Sequence, residues 1–225
     1  MTKSTWALIP MKTLEQAKTR LATVLTASEC AELSRAMLLD VLSALHDARR
    51  IDQIAVLTSD TDIQTLVRDA GHLVIEDDSA GHLNAGLNKA VQNISAAGAA
   101  TVVIVHGDLP TISGQDIDQL LAEHSAGISL CVASHDGGTN ALVCSPSEAL
   151  PFRFGPNSAQ LHLDAAADAG IPAIALHKPA FGRDIDTPDD LFWLTQQNCC
   201  PNSIQFLQRA GINTRMNPAR TGTSA

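Results

Sequence analysis

The chain has 225 residues, 45% of them hydrophobic, with 24 acidic residues against 15 Lys and Arg and a formal net charge of −9. That length suits one α/β domain with a substantial core. The acidic balance argues against nucleic-acid and anionic-membrane partners, which reward basic patches.

The first element is the apolar run Thr5–Pro10, a central strand closed by proline, followed by a loop carrying Lys12, Lys18 and Arg20. Thr26 and Glu29 form a capping box, and Leu33, Met37, Leu38, Val41 and Leu45 place an amphipathic helix over 28–47. Ile54–Leu57 is a second buried strand. Ser59 or Asp60 caps a helix that turns Ile63, Leu66, Val67 and Ala70 inward and stops at Gly71. Leu73–Ile75 is a short strand leading to an acidic turn, and a helix with Leu83, Leu87, Ala90, Val91 and Ile94 follows.

Val102–Val105 is a β-branched run entering His106-Gly107-Asp108-Leu109-Pro110, the pattern of a buried strand that presents one carboxylate at its end. In an open α/β sheet ligands sit outside the carboxyl ends of the strands, so Asp108 is a candidate to hold a divalent metal against nucleotide phosphates. Ser113 and Asp116 cap the next helix. Strands at Ile128–Ala133 and Asn140–Cys144 flank the Asp136-Gly137-Gly138 turn and read as an inserted hairpin closing over one side of the site. Ser158 caps a helix ending at Gly170, Ile174–Leu176 is a strand, and Thr187-Pro188 opens the last helix. Residues 211–225 lack apolar periodicity and are expected to fray. Strands alternating with helices through the first 125 residues predict one α/β domain with a parallel sheet wrapped by helices.

Three constellations carry chemistry. Lys12, Lys18 and Arg20 gather cations after the first strand, where they can neutralise phosphates; a solvated loop accounts for them equally well on spacing alone. Asp184 and Asp186 alternate in an extended segment, so both carboxylates face one way, and with Asp108 they can share Mg²⁺. Asp190 is read as a helix cap. Gly137–Asn140 and Phe154–Ser158 bring glycine, hydroxyl and amide groups to strand–helix junctions; Ser158 at a helix start is an anion site or plain capping. Asn84 and Asn88 read a base or ribose edge or are exposed helix polar residues. His106 and His162 are packed histidines. Neither a P-loop nor a Gly-x-Gly-x-x-Gly fingerprint occurs. Cys131 and Cys144 lie in apolar runs as buried reduced thiols; Cys199-Cys200 can bind metal or oxidise, and a solvent-facing helix end accounts for the pair equally well. Without a leader pattern or an apolar run near about 18 residues, a cytoplasmic location is expected.

Taken in order, Ile9-Pro10-Met11-Lys12, Lys18-Thr19-Arg20-Leu21, Gly107-Asp108-Leu109-Pro110, Gly138–Leu142, Phe154–Ser158 and Asp184–Pro188 resemble the CofC-type guanylyltransferases of deazaflavin coenzyme F-420 biosynthesis. The likeness spans residues 5–196 and leaves 197–225 as an extension. It implies a three-layer α/β/α fold with a mostly parallel sheet, of the nucleotide-diphospho-sugar-transferase-like kind, and transfer of GMP from GTP to a phosphorylated three-carbon acid, with 2-phospho-L-lactate, phosphoenolpyruvate and 3-phospho-D-glycerate as the family's acceptors. By the same resemblance Asp108, Asp184 and Asp186 would bind Mg²⁺. Thr139, Asn140, Gly155 and Ser158 would hold the acceptor, and Lys12 and Lys18 would meet the triphosphate. Arg20 and Asn84 are the further nucleotide-side candidates. Asn140 stands where some relatives carry threonine. A homodimer is compatible with the sequence. A nucleotidyltransferase for molybdenum cofactor or a sugar phosphate would share Gly107-Asp108 and the basic loop, and a non-catalytic nucleotide-binding regulatory domain would tolerate loss of Asp184 and Asp186.

Overall fold

The computed structural model describes residues 4–16 and 18–216, with seven strands and eight α-helices among them. The strands are β1 (Ser4–Pro10), β2 (Gln53–Thr58), β3 (Leu73–Glu76), β4 (Ala99–Val105), β5 (Gly127–Val132), β6 (Thr139–Ser145) and β7 (Ala173–Leu176). The helices are α1 (Ala27–Asp47), α2 (Thr61–Asp69), α3 (Leu83–Ala96), α4 (Gly114–Glu123), α5 (Ser158–Asp168), α6 (Pro188–Leu194), α7 (Pro201–Arg209) and α8 (Ile212–Met216). One sheet runs in the order β3-β2-β1-β4-β6-β5-β7. Every pairing is parallel except those of β6, which runs against both β4 and β5.

Alternation along the strands splits the apolar residues between two faces. Ala7, Ile9, Val103 and Val105 pack with Leu38, Val41, Leu45, Ile63, Ile117 and Leu120 from α1, α2 and α4. Leu8, Val102, Ile104 and Leu142 pack with Leu87, Val91, Ala159 and Ala166 from α3 and α5. The three-layer α/β/α architecture follows, as the sequence predicts. The capping boxes at Thr26/Glu29 and Ser113/Asp116 are present, and Asp60 caps α2 through the backbone N–H groups of Asp62 and Ile63.

The pair β5–β6 does not cover the site as an inserted hairpin. It forms part of the sheet itself, because Ala141–Cys144 are apolar on both faces and can be buried only between neighbouring strands. Being antiparallel, β6 starts at the edge where β1 and β4 end, which sets Thr139 and Asn140 beside the loop after β4.

The helix at Thr187-Pro188 is not the last, and residues 211–216 do not fray. Both α7 and α8 follow, and Phe206, Leu207 and Ile212 are buried with Leu33, Met37, Leu191 and Leu194 against α1 and α6. Asp40 of α1, almost fully buried, ties this end down. Its Oδ1 accepts from Asn202 N and Nδ2 at 3.0 and 2.8 Å, and its Oδ2 from Ser203 N and Oγ at 2.9 and 2.6 Å. Asp40→Ala removes a carboxylate and leaves four donors at the start of α7 without it. A stability loss of about 2–4 kcal/mol, read by urea unfolding, is expected. Residues 217–225, where fraying is also predicted from sequence, lie outside the described residues.

Candidate active site

The site is assembled at the carboxyl edge of β1 and β4. The strand β4 runs into the loop that carries Asp108, and the irregular segment 184–187 is fastened beside it by Ile185 N donating to Asp108 O at 3.1 Å. Ile185 is buried among α1 and α6 residues, so its two neighbours turn the other way. One carboxylate oxygen each from Asp108, Asp184 and Asp186 lie within 4.8 Å of one another. The segment then enters α6 through a capping box, with Thr187 Oγ1 accepting from Asp190 N. Asp190 Oδ2 accepts from Thr187 N and Oγ1 at 3.0 and 2.7 Å, and the Asp190 carboxylate is thereby a cap, as predicted.

Lys18 enters the same cluster from the loop after β1. Its backbone is left-handed (φ 53°, ψ 40°), and its ammonium donates to Asp108 Oδ2 at 2.6 Å and Asp186 Oδ1 at 2.7 Å. Burial opposes charging Lys18, but the two carboxylates outweigh it and hold the ammonium above its ordinary pKa. Burial likewise pushes the Asp108 carboxyl up, and the Lys18 and His106 charges outweigh that and keep it below the usual range. Asp184 goes the other way, raised by burial and by Asp108 beside it. Arg20 is exposed and its Nη1 stands 3.6 Å from Asp186. Lys12 is exposed.

The donor set fits a hard divalent cation. Three carboxylates supply oxygen ligands only, and Asp108 Oδ1 is buried without a hydrogen-bond partner among the described residues.

A second group of side chains forms beside it, where the loop 153–158 meets the start of β6. Ser158 is the first residue inside α5 and does not cap it; the N-cap is Asn157, with a left-handed backbone and no side-chain cap bond. The buried Ser158 hydroxyl donates to Thr139 Oγ1 at 3.0 Å, because the turn at Asn157 swings it toward β6. Gly155 takes φ 140°, which residues with a side chain rarely adopt, and the space a Cβ would fill is open. Asn140 Nδ2 donates to Phe181 O at 2.9 Å and Asp184 Oδ1 at 3.3 Å. Asn140 therefore joins the hydroxyl group to the carboxylate cluster.

Asn84 Nδ2 donates to Phe154 O at 3.0 Å and its Oδ1 accepts from Phe154 N at 2.7 Å, so the amide braces the loop with one bond at each end and keeps a second N–H and a second lone pair. Asn88 repeats the arrangement one turn on, its Oδ1 accepting from Phe152 N at 3.0 Å. The two asparagines brace the backbone at Phe152 and Phe154.

His162 is a packed histidine, as predicted. Its Nε2 accepts from Arg153 N at 2.9 Å, its ring meets Phe154 edge-on, and burial lowers its pKa from 6.5 to about 4. The unfolded chain therefore binds a proton in that window and the native state does not, so stability is complete above about 6.5 and falls toward pH 4. Urea unfolding is expected to show His162→Gln losing roughly 3 kcal/mol of the wild-type pH dependence between those limits. His106 has no hydrogen-bond partner for its buried Nε2 among the described residues, and burial lowers its pKa too. Cys131, Cys144 and Cys200 are buried free thiols, whereas Cys199 is exposed. No helix among the described residues is long and apolar enough to cross a membrane.

The family described as Guanylyl transferase CofC like matches residues 5–224, through α7 and α8 and beyond the 5–196 span of the sequence motifs. The chain belongs to the CofC-like guanylyltransferase family. A phosphoenolpyruvate guanylyltransferase of Roseiflexus sp. (strain RS-1) is 39% identical over 193 residues, covering 85% of each chain. A 2-phospho-L-lactate guanylyltransferase of Methanothermobacter thermautotrophicus is 33% identical over 83% of this chain and 82% of its own. Among solved structures, a protein assigned as a nucleotide-diphospho-sugar transferase from Desulfovibrio desulfuricans G20 superposes with a TM-score of 0.72 at 19% identity, covering 97% of this chain and 96% of that one. This last likeness is one of fold. Family membership makes the chain a nucleotidyltransferase, and the rival reading of a non-catalytic regulatory domain falls away.

Proposed function

We propose that this guanylyltransferase moves GMP from GTP to the phosphate of a three-carbon phosphorylated acid, releasing pyrophosphate, as a step in coenzyme F-420 biosynthesis. The observation that carries the reading is the meeting of Lys18 with Asp108, Asp184 and Asp186 beside the Thr139–Ser158 pair, in a chain of this family.

An acceptor phosphate oxygen attacks the α-phosphorus, a new P–O–P linkage forms, and the bond from the α-phosphorus to the leaving pyrophosphate oxygen breaks. A phosphate oxygen is already ionised at neutral pH, so no protein base or nucleophile is needed. What the chain must supply is position and positive charge for two approaching anions. Lys12 and Lys18 meet the triphosphate, with Arg20 at the exposed edge. Asn140, Thr139, Gly155 and Ser158 hold the acceptor's carboxylate and phosphate. Asp108, Asp184 and Asp186 would hold Mg²⁺, which when bound offsets the charge of the phosphates.

The test is pyrophosphate release with Mg²⁺, the four nucleoside triphosphates and the three acids named for the family. GTP dependence and a strong preference for one acid are expected; activity on a sugar phosphate and on none of the acids would overturn the assignment. Within this reading Ser158→Ala is expected to raise KM for the acid about tenfold and KM for GTP by far less, since one hydrogen bond to a charged group is worth roughly 1.5–3 kcal/mol. Equal effects on both substrates would count against acceptor contact.

A further inference from the structure

The ammonium of Lys18 lies 2.6 Å from Asp108 Oδ2 and 2.7 Å from Asp186 Oδ1, between two of the three carboxylates that suit a metal. A cation bound by those same oxygens would need to approach within about 2.0–2.1 Å of them if it were Mg²⁺. Two positive charges cannot share that space, and at such separations in a partly buried site their repulsion is large. The Lys18 side chain is also mostly buried, at 9% exposure, so it is held in the cluster and does not merely graze it. Arg20, at 74% exposure and 3.6 Å from Asp186, leaves the interior of the cluster to Lys18.

We propose that Lys18 is the resident counter-cation of the nucleotide-free site and couples metal entry to nucleotide entry. Without nucleotide, its ammonium occupies the place a divalent cation would take and keeps metal affinity low. A triphosphate gives the ammonium other anionic oxygens, and the lysine then leaves Asp108 and Asp186 to a metal that arrives with the nucleotide. The first half rests on geometry alone; the second rests on the proposed reading of Lys18 as a triphosphate-binding group. The consequence is reciprocal: a ligand that draws Lys18 away tightens metal binding, and metal at high concentration releases Lys18.

The test uses Mn²⁺ alone, titrated calorimetrically into nucleotide-free protein, so that it reads metal binding and not turnover. Lys18→Met and Lys18→Gln are expected to bind Mn²⁺ at least tenfold more tightly than the wild type. Lys18→Arg, which keeps the charge, is expected to bind it as weakly as the wild type. Unchanged affinity in the Met and Gln variants would overturn the proposal. So would equal tightening in Lys18→Arg, because a disturbed loop would then explain the effect.

A second measurement needs no variant. Acylation of the wild-type Lys18 amine, followed by mass spectrometry of its peptide, is expected to accelerate severalfold at saturating Mn²⁺. An unchanged rate would overturn the displacement. Neither result depends on which substrate is turned over, so failure of the guanylyl-transfer reading in the pyrophosphate assay is distinguishable from failure of this one.

Discussion

Asp108→Ala is expected to lower kcat/KM by on the order of 10³-fold or more, which corresponds to about 4 kcal/mol of lost transition-state stabilisation. The carboxylate lies in the loop just after the central strand β4, one oxygen holding Lys18 and the other buried without a partner among the described residues. Alanine removes a proposed metal ligand and the counter-charge of Lys18 together. The fold should survive, because Lys18 keeps Asp186 at 2.7 Å and the buried run Val102–Val105 is untouched. Steady-state kinetics with a parallel thermal melt checks both parts. Near-normal turnover would refute the metal-ligand role, and collapse of the fold would show Asp108 to be structural.

Lys18→Met carries the second large effect. On the proposed reading its ammonium stabilises the charge that builds on the leaving pyrophosphate, and loss of one such preorganised donor costs about 10²–10³ in rate. A fall in kcat of that size is expected, with a smaller change in KM for the acid. The variant also leaves Asp108 and Asp186 as neighbouring carboxylates without their shared cation. Saturating Mg²⁺ without nucleotide should therefore stabilise it against heat more than it does the wild type. A kcat within threefold of wild type would contradict the assignment of Lys18 to the triphosphate.

What was legible in the sequence was local. The capping box at Thr26/Glu29 and the caps at Ser113, Asp116 and Asp190 depend on short spacings and form as read, the last two sites as full capping boxes. Asp108 was legible because an apolar strand runs straight into it. The Asp184–Asp186 alternation placed both carboxylates on one side, and burial of Ile185 between them is what enforces this.

Contacts between partners distant in the chain are less legible. Asn84 holds a backbone 70 residues away, a contact that no helix periodicity signals. The contact of Lys18 with Asp186 spans 168 residues; the sequence marked both side chains without pairing them. The place of β6 inside the sheet was hidden for a related reason, since strand order is set by long-range pairing and a hairpin reads the same at an edge or in the centre. The helices α7 and α8 follow the same rule, because the partners of Phe206 and Ser203 lie on α1. Asn140 stood in the sequence as an acceptor contact, and its bond to Asp184 makes it a bridge to the carboxylates as well.

The most direct test of guanylyl transfer is the identity of the product. The enzyme, GTP and Mg²⁺ incubated with each of the three acids, and followed by ³¹P NMR with mass detection, should yield pyrophosphate and one new species. That species carries GMP joined to the acid's phosphate, seen as two coupled phosphorus signals at the summed mass less pyrophosphate. Free GMP with no joined product from any of the acids, or a joined product formed only with a sugar phosphate, would contradict the account.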